Sequence, residues 1–61
     1  MTKQKMISLL KQVQVEFLSR DPSFLFFDVA QASIEQVKNA SIDDFEEAAV
    51  VADLVAMCAS A

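Results

Sequence analysis

The chain has 61 residues and a net charge of −4, and 54% of its residues are hydrophobic, so it forms one domain with a small core. It contains no histidine and no glycine, which excludes Ser-His-Asp catalysis, zinc sites of the usual Cys/His kinds and glycine-rich phosphate loops. We therefore expect a single domain over residues 1–61 that is not an enzyme and needs no cofactor, metal ion or small-molecule substrate.

The first predicted helix covers about residues 2–20 and is amphipathic. Its apolar residues recur at spacings of four, three and four, which is the period of one face of a helix. These residues are Met6, Leu10, Val13 and Phe17. The opposite face is polar and carries Lys5, Ser8, Gln12 and Ser19.

The second predicted helix covers about residues 22–38. Pro22 disfavours helical geometry in Asp21, so the first helix should end before it, and Pro22 suits the first position of the next helix. The aromatic run at residues 24–27 would also suit a strand, but the helical period continues for three more turns, so we predict a helix. Its main apolar face holds Phe26, Phe27, Ala30, Ile34 and Val37.

The third predicted helix covers about residues 42–60, with Ser41 as its N-cap. The acidic residues that follow would lie in its first turn, where carboxylates complement the helix dipole. The rest of the segment is apolar nearly all round, and such a helix is usually buried on more than one side. We therefore predict an all-α fold of three short helices in a small bundle that is completed by oligomerisation. The acidic residues are Asp43, Asp44, Glu46 and Glu47.

Three features could carry chemistry, and each also has a structural interpretation. The acidic cluster could bind a divalent cation, but no distinctive ligand joins it, so we favour helix capping. Asp53 could mark a site if it were buried, but we favour a place on the one hydrated strip of its helix. Cys58 has no basic neighbour in the sequence that would activate its thiol, so we favour the role of a small buried apolar residue.

The size of the chain favours association. A core built from so few residues is marginal, and one cysteine cannot form an intramolecular disulfide. We predict a small interaction or regulatory module that acts as a homodimer or bound to a larger protein, through apolar faces of the second and third helices. The predicted interface residues are Phe24, Leu25, Val29, Val50, Leu54 and Met57.

Two other functions stay open. The last 21 residues carry five acidic residues and no basic one, which would suit an inhibitor that occupies a basic groove of a nucleic-acid-handling protein, as mobile elements often encode. The first 20 residues carry a net charge of +3, so nucleic-acid binding through the first helix is a third, weaker hypothesis.

No segment has the roughly 20 apolar residues that a membrane span needs, and a lone cysteine suits a reducing compartment. We therefore predict a cytoplasmic protein with no membrane contact.

Overall fold

The computed structural model describes residues 1–20 and 25–60 of the chain, and three α-helices account for most of them. α1 spans Lys3–Arg20, α2 spans Leu25–Asn39 and α3 spans Glu47–Ser60. The all-α prediction is confirmed, since the described ranges contain no strand, and the aromatic start of α2 is helical rather than extended. The predicted start of the second helix at Pro22 falls outside these ranges.

The core forms mainly between α1 and α2, which run antiparallel. Met6 and Leu10 of α1 are almost completely buried, as the four-residue spacing predicted. Burying one such side chain stabilises the fold by roughly 1.5–3 kcal/mol. Three apolar residues of α2 and one of α3 complete the buried apolar core: Ala30, Ile34, Val37 and Leu54.

A buried glutamine joins the same two helices. The side chain of Gln14 is 5% exposed, and its Nε2 donates hydrogen bonds to the carbonyl oxygen of Phe27 at 3.0 Å and to Oε1 of Gln31 at 3.1 Å. Nε2 of Gln31 in turn donates to Oε1 of Glu35 at 3.2 Å. A buried amide is costly unless it is hydrogen-bonded, so these bonds favour one register of α1 against α2.

The prediction that Ser41 begins the third helix is wrong, because α3 starts six residues later, at Glu47. Residues 40–46 are not helical. The backbone N–H of Phe45 donates to the carbonyl oxygen of Met1 at 2.8 Å, and the amino group of Met1 donates to the carbonyl oxygen of Phe45 at 3.0 Å. These tertiary bonds use backbone groups that a longer α3 would need, so the helix begins after them.

The same segment caps the start of α1, and the side chain of Lys3 from α1 in turn reaches the end of α2. A carboxylate oxygen of Asp43 accepts a hydrogen bond of 2.9 Å from the backbone N–H of Lys3, and Oγ1 of Thr2 accepts one of 3.3 Å from the N–H of Lys5. The ammonium group of Lys3 donates to the carbonyl oxygen of Ala40 at 2.6 Å, just beyond the end of α2. Backbone groups that have no partner within their own helix are thereby hydrogen-bonded at the start of α1 and at the end of α2.

α3 packs mainly against α2 and only weakly against α1. Leu54 is buried in the core, and Val50 is partly buried against it. α3 begins at the end of the molecule where α1 begins, so these two helices run in the same direction. Because α3 is held chiefly on one side, a gap is left between α3 and α1.

Candidate interaction groove

The gap between α1 and α3 is an open groove with a volume of about 380 Å³. Its lining is almost entirely apolar, and the only charged lining residue among those described is Glu47. α1 contributes Leu9, Leu10, Val13 and Phe17 to the lining. α2 contributes Phe26, and α3 contributes Val51, Leu54, Val55 and Cys58.

The floor and the walls of this groove differ in exposure. Leu10 and Leu54 form the floor and are 1% and 4% exposed. The walls carry Phe17 and Val51, each 41% exposed, and Val55, which is 61% exposed. Large apolar side chains that stay in contact with water beside a concave surface are typical of a binding site, because covering them lowers the free energy.

One end of the groove is fixed by an aromatic pair. The rings of Phe17 and Phe26 stack with their centroids 4.5 Å apart and an interplanar angle of 29°. Such a pair contributes about 0.5–1.5 kcal/mol beyond the area it buries. The stack holds the Phe17 ring in place, so this wall exists before any ligand binds.

The outer surface of α3 continues the apolar character of the groove. Beside Val51 and Val55, α3 presents several exposed alanines. Small side chains allow the backbone of a second helix to approach closely. The exposed alanines of α3 are Ala48, Ala49, Ala52, Ala56 and Ala59.

The six predicted interface residues lie in different environments. Phe24 falls outside the described ranges, and Leu25 is 51% exposed. Among the five described residues, only Leu54 lines the groove, as part of its floor. Val50 and Val29 pack against the core, and Met57 is half-buried. Whether any of them contacts a partner stays a prediction.

Sequence reasoning missed the exposed walls of the groove. Phe17 was predicted to lie on the apolar core face of α1, and neither Val51 nor Val55 was among the predicted interface residues. The hydrophobic periodicity shows that α1 and α3 carry more apolar side chains than one neighbour can cover. It does not show which of these side chains stay exposed, because that depends on where α2 packs. Val55 stands next to Leu54, so a rotation of about 100° around α3 separates a core residue from an exposed one.

The acidic residues 43 and 44 precede α3 and do not lie in its first turn, where they were predicted. Asp43 caps the first turn of α1, and Asp44 lies 3.2 Å from the amino group of Met1. Asp53 is exposed, as predicted, but it does not mark a single hydrated strip, because most of α3 is exposed and its one buried residue is Leu54. Within residues 1–20 and 25–60, no group of three or more His, Cys, Asp or Glu side chains could hold a metal ion.

Cys58 is a free thiol that lies half-buried in the groove. Because of this position, the reactivity of the thiol can report whether the groove is covered.

No helix in the described part of the chain is both long and apolar enough to cross a membrane. Comparison of the chain with protein-family models, with curated proteins and with solved structures gives no match.

Proposed function

We propose that this protein is a non-enzymatic interaction module, and that the groove between α1 and α3 is its working surface. The observation that carries the proposal is the set of exposed wall residues, Phe17, Val51 and Val55, above a buried floor. A fixed concave surface with exposed apolar walls suits recognition of the apolar face of a helix.

The dimensions of the groove support a helical ligand. Leu9 and Phe17 are eight residues apart on α1, which corresponds to about 12 Å along the helix. That length matches about two turns of a bound helix, with anchor residues at spacings of three, four and seven. A fourth helix seated there would give α1 and α3 the neighbour that each lacks, in the manner of a four-helix bundle.

The acidic-inhibitor hypothesis has weaker support. Asp43 and Asp44 make hydrogen bonds within the chain, to the backbone of Lys3 and to the amino group of Met1. Carboxylates that already accept hydrogen bonds within the chain are less available to a basic partner. Nucleic-acid binding through α1 is weakened in the same way, since the ammonium group of Lys3 is bound to backbone carbonyl oxygens of residues 38 and 40.

Photo-crosslinking in living cells tests the proposal. We would introduce benzoylphenylalanine at Val55, on the groove wall, and at Val15 as the matched control. Both valines are highly exposed, at 61% and 64%, but Val15 does not line the groove. We expect covalent protein adducts from position 55 and few from position 15. When the crosslinking is repeated in a cell lysate at high salt, the adducts from position 55 should still form, because an apolar contact is not screened by ions.

Two results would contradict the proposal. Equal adduct yields from the two positions would mean that the groove is not a preferred contact surface. Adducts from position 55 that disappear at high salt would favour the acidic-inhibitor hypothesis, because exposed charge pairs are screened by salt.

A further inference from the structure

We infer that the helix seated in the groove is α3 of a second copy of this chain, so that the protein forms an antiparallel two-fold homodimer. This inference rests on the proposed function, because it names the ligand of the same groove. It depends on two observations: the surface is complementary to itself, and its charges are placed at opposite ends.

The self-complementarity comes from α3. Val51 and Val55 form one wall of the groove and are 41% and 61% exposed, so the same wall can serve a second copy as an apolar ridge. Exposed alanines flank this ridge, so a second α3 can approach closely. A two-fold interface pairs one surface with itself, so that surface must be self-complementary, for example by offering both a ridge and a hollow that receives it. The α1–α3 side of this protein offers both.

The charges select the antiparallel direction. Glu47 lines the groove near its first end, where α3 begins. Arg20 ends α1 at the opposite end, and it follows Val13 by seven residues and Phe17 by three, so it lies on the groove side of α1. An antiparallel partner therefore brings Glu47 of each copy towards Arg20 of the other. A parallel partner would bring the two Glu47 carboxylates together, which is unfavourable.

Val55→Asp is the variant that tests this interface without damaging the core. Leu54 is only 4% exposed, so a charge there would test folding instead. Sedimentation equilibrium over about 1 to 200 micromolar should show wild-type protein shifting from 6.7 kDa towards twice that mass. We expect Val55→Asp to weaken self-association by about tenfold or more. The matched control, Val15→Asp, should change it by less than about twofold.

A charge reversal tests the direction. Arg20→Glu and Glu47→Arg should each weaken the dimer by about threefold, because each places like charges together. The double variant should recover most of the wild-type association. Both substitutions also oppose a helix dipole, so the double variant should fold no better than either single variant. Recovery of the dimer therefore cannot come from recovery of the fold, which circular dichroism would verify.

The outcomes separate this inference from the proposed function. A wild-type mass of 6.7 kDa at all concentrations, together with adducts from position 55 that contain a different protein, would overturn the dimer and leave the interaction module standing. A dimer that Val55→Asp and Val15→Asp weaken equally would mean that self-association uses another face. A double charge variant that fails to recover association would overturn the antiparallel arrangement.

Discussion

α1 contacts α2 along one side and faces α3 across the other, and these two sides are built differently. On the α2 side, Met6 and Leu10 are buried and Gln14 is hydrogen-bonded across the interface. On the α3 side, the residues that face α1 have short side chains, Val51, Val55 and Cys58, which leave a groove of about 380 Å³. The comparison shows that an apolar surface on both helices is not enough to close a contact, because side-chain length must also fill the space.

The largest effect is expected on the closed side. Leu10 is 1% exposed, so Leu10→Ala should lower the free energy of unfolding by about 2–5 kcal/mol through lost burial and a cavity. Val55→Ala on the open side should cost only a few tenths of a kcal/mol in monomeric protein. Urea denaturation at high dilution would compare them. Similar losses from the two variants would mean that α3 closes on α1 in solution.

Gln14 should have the next largest effect. Gln14→Ala removes two hydrogen bonds and opens space between α1 and α2, and we expect it to cost about 1–3 kcal/mol. Gln12 is exposed on the same helix, and Gln12→Ala should stay within about 0.5 kcal/mol of wild type. Chemical denaturation of the two variants provides the measurement. Equal values would show that the Gln14 bonds are not what joins the two helices.

A smaller effect is expected in the loop at residues 40–46. Asp43→Ala should cost about 1 kcal/mol, since it removes an acceptor from the first turn of α1. Ser41 is exposed and caps no helix, so Ser41→Ala should change stability by less than a few tenths of a kcal/mol. Thermal or urea unfolding would compare the pair. A larger loss from the serine variant would restore Ser41 as the start of the third helix.

These residues also show how far the sequence predicts the fold. The spacing of Met6 and Leu10 predicted their burial, because a core position repeats with the helical period. Asp43 and Ser41 were placed at the start of the third helix, because local capping rules do not include a backbone partner 40 residues away. Gln14 lies four residues after Leu10 on the apolar face, which is a signal that it is buried, but its partners on α2 could not be read from the pattern.

The candidate groove was predictable only in part, for a related reason. The sequence predicts that α3 is apolar nearly all round, so some of its surface must stay uncovered in a small monomer. Which residues stay uncovered depends on the rotation of α3 against α2. That rotation is set by the burial of Leu54, and it leaves Val51 and Val55 exposed on the wall of the groove. The rotation of α3 is determined by how the helices pack in three dimensions, so it cannot be read from the hydrophobic periodicity.

The smallest expected effect comes from filling the groove. Val51→Phe adds bulk to the wall that faces Leu10 and Val13, and it should raise the free energy of unfolding of the monomer by about 0.5 kcal/mol. The larger ring should also slow the reaction of the Cys58 thiol with a disulfide reagent, because that thiol lies in the same groove. Val15→Phe is the control, since Val15 is exposed elsewhere on α1 and should alter neither quantity. If Val51→Phe lowers stability or leaves the thiol reaction unchanged, the space between α1 and α3 is already filled in solution, and the contrast between the two sides of α1 would be wrong.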